Sequence, residues 1–423
     1  MDDTSPHPRR TPGATPPAEA RIEDTGNLLV APTPSHGDDV VREFFGSVVT
    51  PEELASGASG IAGRTVYLYG DVSGVDGGRL RPAERVFVVR EPSGGHRDGP
   101  GEPWTPVGAG RVPRRAYGAG VYYPRFFAPD DGHFGRIRAE HAFQSLTEST
   151  KPGTAHRSGI YLTPVTRDGD ALHFRLLRCS TNLSGPTEDF GPTDTGIVEA
   201  LNREAAAVFR DHAPLNHVLA QTYPNTAATA ARKQSKARIS SHADKTKDMP
   251  ANGIMAFCTF YDGLDGLRPL DGDPFDLGVR GTSGLTRLRF RLKEPIAAGD
   301  GGGLPPRFTL TLHPGSVFLM PLSTNRLYTH EILPSALDAG LLPTRLGYVV
   351  RCSSTEAVHR DGRTYLRTGP EPADLVELEA PTPEGMDELR GLYAEENRSS
   401  SFIDYGGRFR FSMNTGDYVA PRA

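Results

Sequence analysis

Two histidines and an aspartate are the side chains of this sequence best suited to bind a metal ion together. His242 and Asp244 are separated by one residue within ARISSHAD (237–244), a segment with the composition of a strand. Because residues i and i+2 of a strand point to the same side, the imidazole and the carboxylate can converge on one ion. His330, in the strand-like segment RLYTHEIL (326–333), supplies a third ligand further along the chain. The sequence therefore predicts a metal site formed by these three residues.

The His-x-Asp pattern does not identify a metal site by itself, because it begins at four positions, His36, His96, His242 and His359. His36 and His96 lie in segments rich in Gly, Pro and Asp, which predict loops. His359 lies in a charged segment just before a glycine, which predicts a turn. Only His242 lies on a predicted strand that could hold a ligand rigidly, so the pattern favours His242 and Asp244.

Two arginines downstream of His330 could bind a dicarboxylate. Arg345 and Arg351 lie in RLGYVVR (345–351), six residues apart, so both face the same side of a strand. A guanidinium pairs with a carboxylate through two parallel hydrogen bonds, which suits an acidic ligand in an otherwise apolar cavity. Two histidines and one carboxylate leave three positions of an octahedral ion open, as in non-haem Fe(II) oxygenases. We therefore expect Fe(II), with two of these positions for a 2-oxo acid and one for O2.

The elements that must position these side chains are predicted to be mostly strands. From His217 onward, strand-like segments are separated by Gly and Pro turns with no interposed helix. Such a pattern predicts a sandwich or jelly roll of two antiparallel sheets with a cavity between them. The predicted strands lie at 160–180 (two strands around an Asp-Gly-Asp turn), 217–223, 237–244, 253–262, 285–293, 307–313, 316–322, 326–333 and 345–353.

Helices are predicted on either side of this β-rich core. GIVEALNREAAAVFRDH (196–212) places apolar residues at intervals of four, which is typical of an amphipathic helix. GMDELRGLYAEEN (385–397) is also helix-like, and a strand-like segment follows at 402–413. The predicted fold class is mainly β with flanking helices (α+β), on a double-stranded β-helix (jelly roll) core with N- and C-terminal additions.

Composition suggests four parts along the chain. A Pro- and Thr-rich start predicts a disordered tail, and short β-branched runs at 65–72 and 85–91 predict strands before a long Gly/Pro loop. The predicted parts are a disordered tail (1–26), a β-rich region with its Gly/Pro loop (27–111), the catalytic part (112–375) with a large insertion at about 128–195, and a C-terminal extension (376–423).

Charge and cysteine content argue against several classes of protein. Lys and Arg total 47 against 52 Asp and Glu, a net charge of -5, so the overall basic excess of a nucleic-acid-binding protein is missing. The three cysteines form no CxxC pair, which favours a reduced intracellular environment. No apolar run is long enough for a signal peptide or a membrane span. We expect a soluble, cytoplasmic protein without a membrane partner.

Several pieces of the sequence resemble the AlkB-like branch of the 2-oxoglutarate/Fe(II)-dependent dioxygenases. The resemblance covers about residues 112–353, and the first of its pieces is similar to the lid segment of that family. The pieces, in chain order, are VPRRAYGAGVYY (112–123), HVLAQTY (217–223), ISSHADK (239–245), LTLHPGSVFLMPLSTNRLYTHEI (310–332) and RLGYVVR (345–351).

This resemblance implies an activity and a role for each matching residue. The implied reaction is oxidative decarboxylation of 2-oxoglutarate to succinate and CO2, coupled to hydroxylation of a substrate C–H bond. On a carbon attached to nitrogen, the hydroxylated product collapses, and the net result is demethylation with release of formaldehyde. The implied roles are Fe(II) ligands for His242, Asp244 and His330, binding of the far carboxylate of 2-oxoglutarate for Arg345 and of the nearer carboxylate for Arg351, and a hydrogen bond to the cosubstrate from Tyr223.

Two positions depart from the pattern of the family. Gln221 and Gly347 each stand where the family usually has Asn, so some polar contacts to the cosubstrate must differ. About ten extra residues separate Tyr223 from the His-x-Asp pair, and the insertion at 128–195 separates the lid-like segment from the core. The usual substrate contacts of the family are therefore not expected to carry over unchanged.

The primary substrate is left open between an alkylated nucleobase in nucleic acid and a small molecule. Basic stretches at 231–238 and 245–247 could contact phosphates, and nearby aromatic residues could stack on a flipped base. The acidic net charge and the large insertion instead favour an enclosed amino acid or natural-product intermediate. A further alternative is a cupin-like protein that binds Zn or Mn and is not an oxygenase. The candidate stacking residues are Tyr117, Tyr122, Tyr123, Phe126 and Phe127.

Overall fold

The computed structural model describes most of the chain, and the described residues form eight continuous segments. No helix within these segments is both long and apolar enough to cross a membrane. The described residues are 18–32, 39–57, 60–71, 73–90, 104–147, 154–177, 183–294 and 303–423.

The N-terminal part contains a parallel sheet with short helices. Five strands pair in the order β3-β2-β4-β5-β6, and every neighbouring pair is parallel. The buried side chains of Leu28, Val66 and Val86 pack on one face, and those of Leu29, Tyr67 and Phe87 on the other. The elements are β1 (Arg21–Ile22), β2 (Asn27–Val30), α1 (Asp39–Glu43), β3 (Ser47–Val49), α2 (Pro51–Ala55), β4 (Thr65–Leu68), α3 (Gly77–Leu80), β5 (Arg85–Val89) and β6 (Trp104–Val107).

The N-terminal part of the chain differs from the prediction in two respects. The strands expected at 65–72 and 85–91 are confirmed, but the predicted Gly/Pro loop contains the edge strand β6, paired with β5. Residues 18–26, which we expected to belong to a disordered tail, include the buried Ala20 and the strand β1, which pairs with residues 209–210. Residues 1–17 lie outside the described residues, and the division of the chain into parts stays a prediction.

The remaining elements are mainly strands. The helices are α4 (His133–Glu140), α5 (Pro192–Val208), α6 (Leu322–Leu327) and α7 (Pro383–Arg398). The strands are β7 (Arg114–Ala116), β8 (Gly120–Tyr123), β9 (Gln144–Thr147), β10 (Thr154–Leu162), β11 (Thr166–Asp168), β12 (Ala171–Leu176), β13 (Phe209–Arg210), β14 (His217–Tyr223), β15 (Ile239–His242), β16 (Ile254–Asp262), β17 (Arg268–Leu270), β18 (Asp273–Val279), β19 (Thr282–Ser283), β20 (Arg287–Leu292), β21 (Arg307–Thr311), β22 (Val317–Pro321), β23 (Tyr328–Leu333), β24 (Thr344–Arg351), β25 (Thr355–Arg360), β26 (Arg363–Arg367) and β27 (Leu375–Glu377).

Two antiparallel sheets form the centre of the molecule. The larger sheet has the order β7-β8-β22-β16-β24-β14-β10-β9, and the smaller has the order β15-β23-β20-β21. Phe257 and Phe318 of the larger sheet belong to one apolar cluster with Phe290, Phe308 and Ile332 of the smaller sheet. The protein is therefore mainly β, and its two sheets pack face to face as in a β-sandwich.

The other face of the larger sheet is covered by helices. The predicted stripe of α5 is confirmed, because Ile197, Leu201 and Ala205 are buried against this sheet. Leu346 and Tyr348 of β24 point to the same side, so the residues between them in sequence face the smaller sheet. The alternation along each strand thus separates a helix-covered face from a face that looks into the sandwich.

Three sequence predictions on this part of the chain are wrong in detail. A short helix, α6, lies between β22 and β23, where no helix was expected. The segment 402–413, predicted to be strand-like, contains no strand and makes an isolated bridge from Phe411 to Glu379. The helix expected at 196–212 ends at residue 208, where the chain enters β13.

Beyond the two central sheets, β25 and β26 form a hairpin that extends a sheet begun by β11 and β12.

A buried ionic cluster joins the N-terminal sheet to the larger sheet. Glu204 of α5 has no exposed surface, and its carboxylate accepts hydrogen bonds from Arg85 at 3.0 Å, Arg111 at 3.3 Å and Tyr123 at 2.7 Å. Burial by itself would raise the pKa of Glu204, but the two arginines outweigh this effect and lower the pKa. The carboxylate is therefore ionised and holds together three segments that are distant in sequence.

We expect Glu204→Gln to destabilise the protein by about 3–5 kcal/mol, because the change leaves two partly buried arginines without their counter-charge. Glu199→Gln on the same helix is a matched control, since its side chain is 64% exposed and its pair with Arg203 is 3.9 Å long. The control change should cost less than about 0.5 kcal/mol. Urea denaturation followed by the fluorescence of Trp104, the single tryptophan, measures both changes. Equal midpoints for the two variants would contradict this role of Glu204.

Candidate active site

The two predicted histidine ligands meet through the register of the smaller sheet. His242 is the last residue of β15 and His330 lies in the middle of β23, and the antiparallel ladder places them directly opposite each other. Their ring centroids are 4.5 Å apart. Residues that face each other across an antiparallel pair have neighbouring side chains, so the two imidazoles share one site.

Asp244 completes the predicted set of three. Its Oδ1 lies 3.6 Å from Nε2 of His242, and the ligand atoms of all three residues lie within 4.8 Å of one another. The N–H at Nδ1 of His242 donates to the carbonyl of Ser240 at 2.9 Å, which leaves Nε2 as the atom that faces the carboxylate. A separation of 3.6 Å is too long for a hydrogen bond. Two atoms that each ligate one ion at about 2.1 Å lie about 3 Å apart, so a small inward shift allows a shared metal ion.

Arg351 binds the carboxylate of Asp244 from the opposite side. Its Nε and Nη2 donate to Oδ2 of Asp244 at 3.0 and 2.7 Å, while Oδ1 faces His242. Burial by itself would raise the pKa of Asp244, but Arg351 outweighs this effect and holds the pKa well below its usual range. The contact of Arg351 with a metal-ligand candidate was not expected from the sequence, which assigned Arg351 to the cosubstrate.

His330 and Asp244 are in the forms that bind a metal ion, whereas Asp244 outweighs the effect of burial on His242 and raises its pKa. Burial, reinforced by His242, lowers the pKa of His330 to about 3, so its ring is neutral and keeps a lone pair. Nδ1 of His330 is buried and has no hydrogen-bond partner among the described residues. A neutral imidazole, a second imidazole and an ionised carboxylate that converge in this way form a donor set that fits Fe(II).

A second cluster of metal-ligating residue types has a different character. It consists of Glu140, His141 and Asp194. Nδ1 of His141 lies 3.2 Å from Glu188, and its Nε2 lies 2.6 Å from Asp194. Burial by itself would lower the pKa of His141, but these two carboxylates outweigh it and raise the pKa. A ring that is hydrogen-bonded at both nitrogens and favours its charged form has no lone pair for a metal, so this cluster is structural.

Two asparagines that the sequence analysis did not single out hold the backbone of the His-x-Asp segment. Asn325 of α6 accepts a hydrogen bond from the N–H of Asp244 and donates one to its carbonyl, both at 2.8 Å. Asn397 of α7 accepts from the N–H of Ala243 at 2.7 Å. Asn325 lies within the family-like piece at 310–332, so its position was available as a signal, whereas nothing near Asn397 in sequence indicates its partner.

The C-terminal helix α7 makes further contacts with the segment that follows Asp244. Glu396 accepts a hydrogen bond from the N–H of Thr246 at 3.2 Å, and the ammonium group of Lys245 lies 4.5 Å from the ring centroid of Tyr393. Lys293 donates to the carbonyls of Glu396 and Ser399 at the end of the helix, at 2.6 and 2.9 Å. Helix α7 thus supports the segment that carries His242 and Asp244.

The three ligand candidates line a cavity of about 800 Å3 between the two sheets. Arg345 lines the same cavity, on the strand that also carries Arg351. Its side chain is buried, with only 4% exposure, yet it makes no ion pair or hydrogen bond with the described residues. A buried arginine without a counter-charge is costly, which indicates a site for an anionic ligand.

The position of Arg345 depends on Tyr223, Gln221 and Gly347. Tyr223 lies opposite Arg345 in the sheet, and its ring centroid is 4.3 Å from the guanidinium carbon. The hydroxyl of Tyr223 donates to Gln221 at 2.5 Å, so this group already has an acceptor within the protein. Gln221 lies opposite Gly347, where a Cβ atom would stand only 2.7 Å from Nη1 of Arg345. The two departures from the family pattern therefore adjoin each other, and Gly347 leaves space for the guanidinium.

Of the other three His-x-Asp pairs, the pair at His359 falls within the described residues. The segments that contain His36 and His96 lie outside the described residues. His359 was predicted in a turn, but it lies on β25, is buried, and is 3.0 Å from the hydroxyl of Thr364. Its carboxylate neighbour Asp361 follows in the turn, with a φ of 51°. His359 is therefore a satisfied structural histidine.

The predicted lid segment forms the hairpin β7–β8 at one edge of the larger sheet. Tyr123 donates to the buried Glu204, and the hydroxyl of Tyr122 is 2.9 Å from His313. Phe126 and Phe127 belong to the core on the helix-covered face. Only Tyr117 is exposed, at 56%. None of these five aromatic residues is among the described residues that line the cavity.

Comparison with known proteins finds matches among solved structures and none among protein families or curated proteins. Among solved structures the chain is similar to OsALKBH1, with 13% identity over 55% of this chain and 96% of that chain and a TM-score of 0.30. It is also similar to SnoN, a non-heme α-ketoglutarate-dependent epimerase from nogalamycin biosynthesis (14%, 63% and 92%, TM-score 0.27). A third is the Fe(II)/α-ketoglutarate-dependent dioxygenase TqaL (11%, 60% and 83%, TM-score 0.23). These TM-scores are too low to define the fold or the activity of this protein.

We expect Asn397→Ala to weaken metal binding by about tenfold or more, because partners that hold a ligand-bearing segment contribute 10–100-fold to metal affinity in other sites. Calorimetric titration with Mn(II) measures the affinity without any need for turnover. Glu395→Ala, an exposed position on the same helix, is the control and should leave the affinity unchanged. Unaltered Mn(II) affinity in the Asn397 variant would show that this contact does not position the ligands.

Proposed function

We propose that this protein is an Fe(II)- and 2-oxoglutarate-dependent oxygenase of the AlkB-like type, with its two sheets forming a double-stranded β-helix. The observation that carries the proposal is the combination of two features in one cavity. One feature is the His242, Asp244 and His330 cluster, and the other is the buried Arg345 without a counter-charge. A metal site alone would fit many proteins, but a metal site that shares a cavity with an unneutralised arginine fits a dicarboxylate cosubstrate.

Each residue has a defined task in this proposal. His242, Asp244 and His330 would hold Fe(II) through two imidazoles and one carboxylate, a donor set typical of non-haem Fe(II) oxygenases. Bound Fe(II) supplies the redox chemistry that couples decarboxylation of 2-oxoglutarate to oxidation of a substrate C–H bond. Arg351 keeps the carboxylate of Asp244 ionised and fixes its orientation.

Arg345 is proposed to bind the far carboxylate of 2-oxoglutarate through its guanidinium. Tyr223, with its ring beneath this guanidinium and its hydroxyl on Gln221, is proposed to orient Arg345. Because Nε and Nη2 of Arg351 bind Asp244, Arg351 can bind the nearer carboxylate of 2-oxoglutarate only through its other N–H groups. The apolar cluster between the sheets, which includes Phe257 and Phe290, borders the metal site and limits the access of water.

The first test of this proposal is the formation of the complex with metal and cosubstrate. Anaerobic Fe(II) and 2-oxoglutarate should give a weak charge-transfer band in the visible region. His242→Ala should abolish iron binding, whereas Arg345→Gln should retain iron and raise the 2-oxoglutarate concentration for half-maximal band intensity by about tenfold or more, because charge-assisted hydrogen bonds are lost. Arg167→Gln, an exposed position on β11, is the control.

Two results would reject the proposal. Bound iron without a visible band would favour the cupin-like alternative, in which the arginines bind an acidic ligand without oxygen chemistry. Unchanged cosubstrate affinity in Arg345→Gln would remove the assignment of this arginine. The identity of the primary substrate does not affect either readout.

We also expect Gly347→Ala to weaken the binding of 2-oxoglutarate without loss of iron. The added Cβ would lie 2.7 Å from Nη1 of Arg345 and 3.3 Å from the ring of Tyr223, so the guanidinium must move. Gly391→Ala on α7 is the matched control, because its Cβ would meet nothing within 4 Å. Titration of the visible band with 2-oxoglutarate compares the two variants. Equal affinities would mean that the guanidinium can shift without consequence for the cosubstrate.

A further inference from the structure

The cavity carries more positive charge than the metal ligands and the cosubstrate require. Asp244 is its one acidic residue among the described lining residues, although the chain as a whole has a net charge of -5. This local excess of positive charge bears on the substrate of the proposed oxygenase. The inference drawn from it rests on that proposed function. The basic lining residues are Arg157, Lys236, Arg238, Lys245, Arg345 and Arg351.

Four of these six cations already have a partner or a task. Arg351 is paired with Asp244, and Arg345 is assigned to the cosubstrate. Lys236 donates to the carbonyls of residues 335 and 336, at 3.2 and 3.4 Å. The ammonium group of Lys245 lies over the ring of Tyr393. These contacts explain why such residues lie near the cavity without any substrate.

Arg157 and Arg238 remain. Within the described part of the chain, neither makes an ion pair or a side-chain hydrogen bond, and both line the cavity. Arg157 belongs to β10 of the larger sheet, within the predicted insertion. Arg238 immediately precedes β15, the strand that ends at His242. The two arginines therefore line the cavity from different segments. Arg157 is half-buried on the larger sheet, and Arg238 is exposed on the segment that leads to the metal-ligand candidates.

We propose that the substrate is a small molecule with a carboxylate or phosphate group, bound by Arg157 and Arg238. Guanidiniums bind both kinds of anion through paired hydrogen bonds. A cavity of about 800 Å3 lies within the range of roughly 300–1,000 Å3 found for small-molecule sites, and it has room for the cosubstrate and one further small molecule. The insertion thus contributes a specificity residue to the site.

The contacts of other basic and aromatic residues argue against a nucleic-acid strand as the substrate. Lys247, in one of the two basic stretches that could have contacted phosphates, is buried in an ion pair with Asp248 at 3.1 Å. Lys236, in the other stretch, is held by backbone carbonyls. Tyr122 and Tyr123, which could have stacked on bases, are buried outside the cavity. Single-strand binding normally combines a basic groove with accessible aromatic rings, and Tyr117, the one exposed ring among the five candidates, does not line this cavity.

The test fractionates a small-molecule extract of the source cells on an anion exchanger and measures succinate formation by the Fe(II) enzyme with 2-oxoglutarate. The retained fraction should stimulate succinate formation above the basal level, and the flow-through should not. Treatment of the retained fraction with alkaline phosphatase distinguishes the two sources of negative charge, because only stimulation by a phosphate ester should disappear. A methylated single-stranded oligonucleotide is tested in parallel.

Variants connect the stimulation to the two arginines. Arg157→Gln and Arg238→Gln, singly and together, should raise the amount of retained fraction needed for half-maximal stimulation, by about tenfold or more in the double variant. The double variant Arg167→Gln and Arg410→Gln, at two exposed positions on the described surface, makes the same change in net charge and should behave like the unmodified protein. Thermal unfolding of each ligand-free variant checks the fold.

A second readout does not depend on turnover. The retained fraction should raise the unfolding temperature of the protein loaded with Mn(II) and N-oxalylglycine, and the effect should be smaller in the Arg238 variant. Stimulation by the flow-through or the oligonucleotide, stimulation by no fraction, or an unaltered response in the double variant would overturn the inference. If the visible band with Fe(II) and 2-oxoglutarate still forms in those cases, the proposed oxygenase function stands and only the substrate assignment falls.

Discussion

The alignment of β15 with β23 is the constraint on which the rest of the site depends. His242 and His330 face each other only in one register of this antiparallel pair. A shift of one residue would turn one imidazole to the other face of the sheet, because side chains alternate along a strand. The apolar residues around His330, such as Phe257 and Phe290, set this register, since they must remain in the core between the sheets.

The larger sheet provides the opposite wall and gives each of its faces a separate role. Residues of β24 point alternately to the helix-covered core and to the cavity, so Tyr348 packs inside while Arg345 and Gly347 face the ligand site. Along the cavity face, neighbouring strands place Gln221, Gly347 and Thr259 in one row and Tyr223 and Arg345 in the next. The absence of a side chain at Gly347 thus leaves space for Arg345 and for Tyr223 on the adjacent strand.

Segments outside the two central sheets contribute to the site by fixing its parts. Helix α7 binds the backbone between and beyond the ligand candidates through Asn397 and Glu396. The N-terminal sheet is joined to the larger sheet through Glu204, whose ionised carboxylate is buried with two arginines. His242 and Asp244 therefore lie at the end of a short strand that is held from several directions, which limits their freedom before any metal binds.

The sequence by itself determined the residue types at the site and which of them share a face of a strand. The shared faces of His242 with Asp244 and of Arg345 with Arg351 follow from the alternation of side chains along a strand. The strands and helices of the core follow from local patterns that extend over four or more residues. The parallel N-terminal sheet was not predicted as such, because its helices of four or five residues are too short to show a helical period. Tertiary structure alone decided the pairing of His242 with His330, the contact of Arg351 with Asp244 and the support from Asn397. These contacts join residues far apart in the chain, so they depend on sheet register and on packing between elements, which no local pattern encodes.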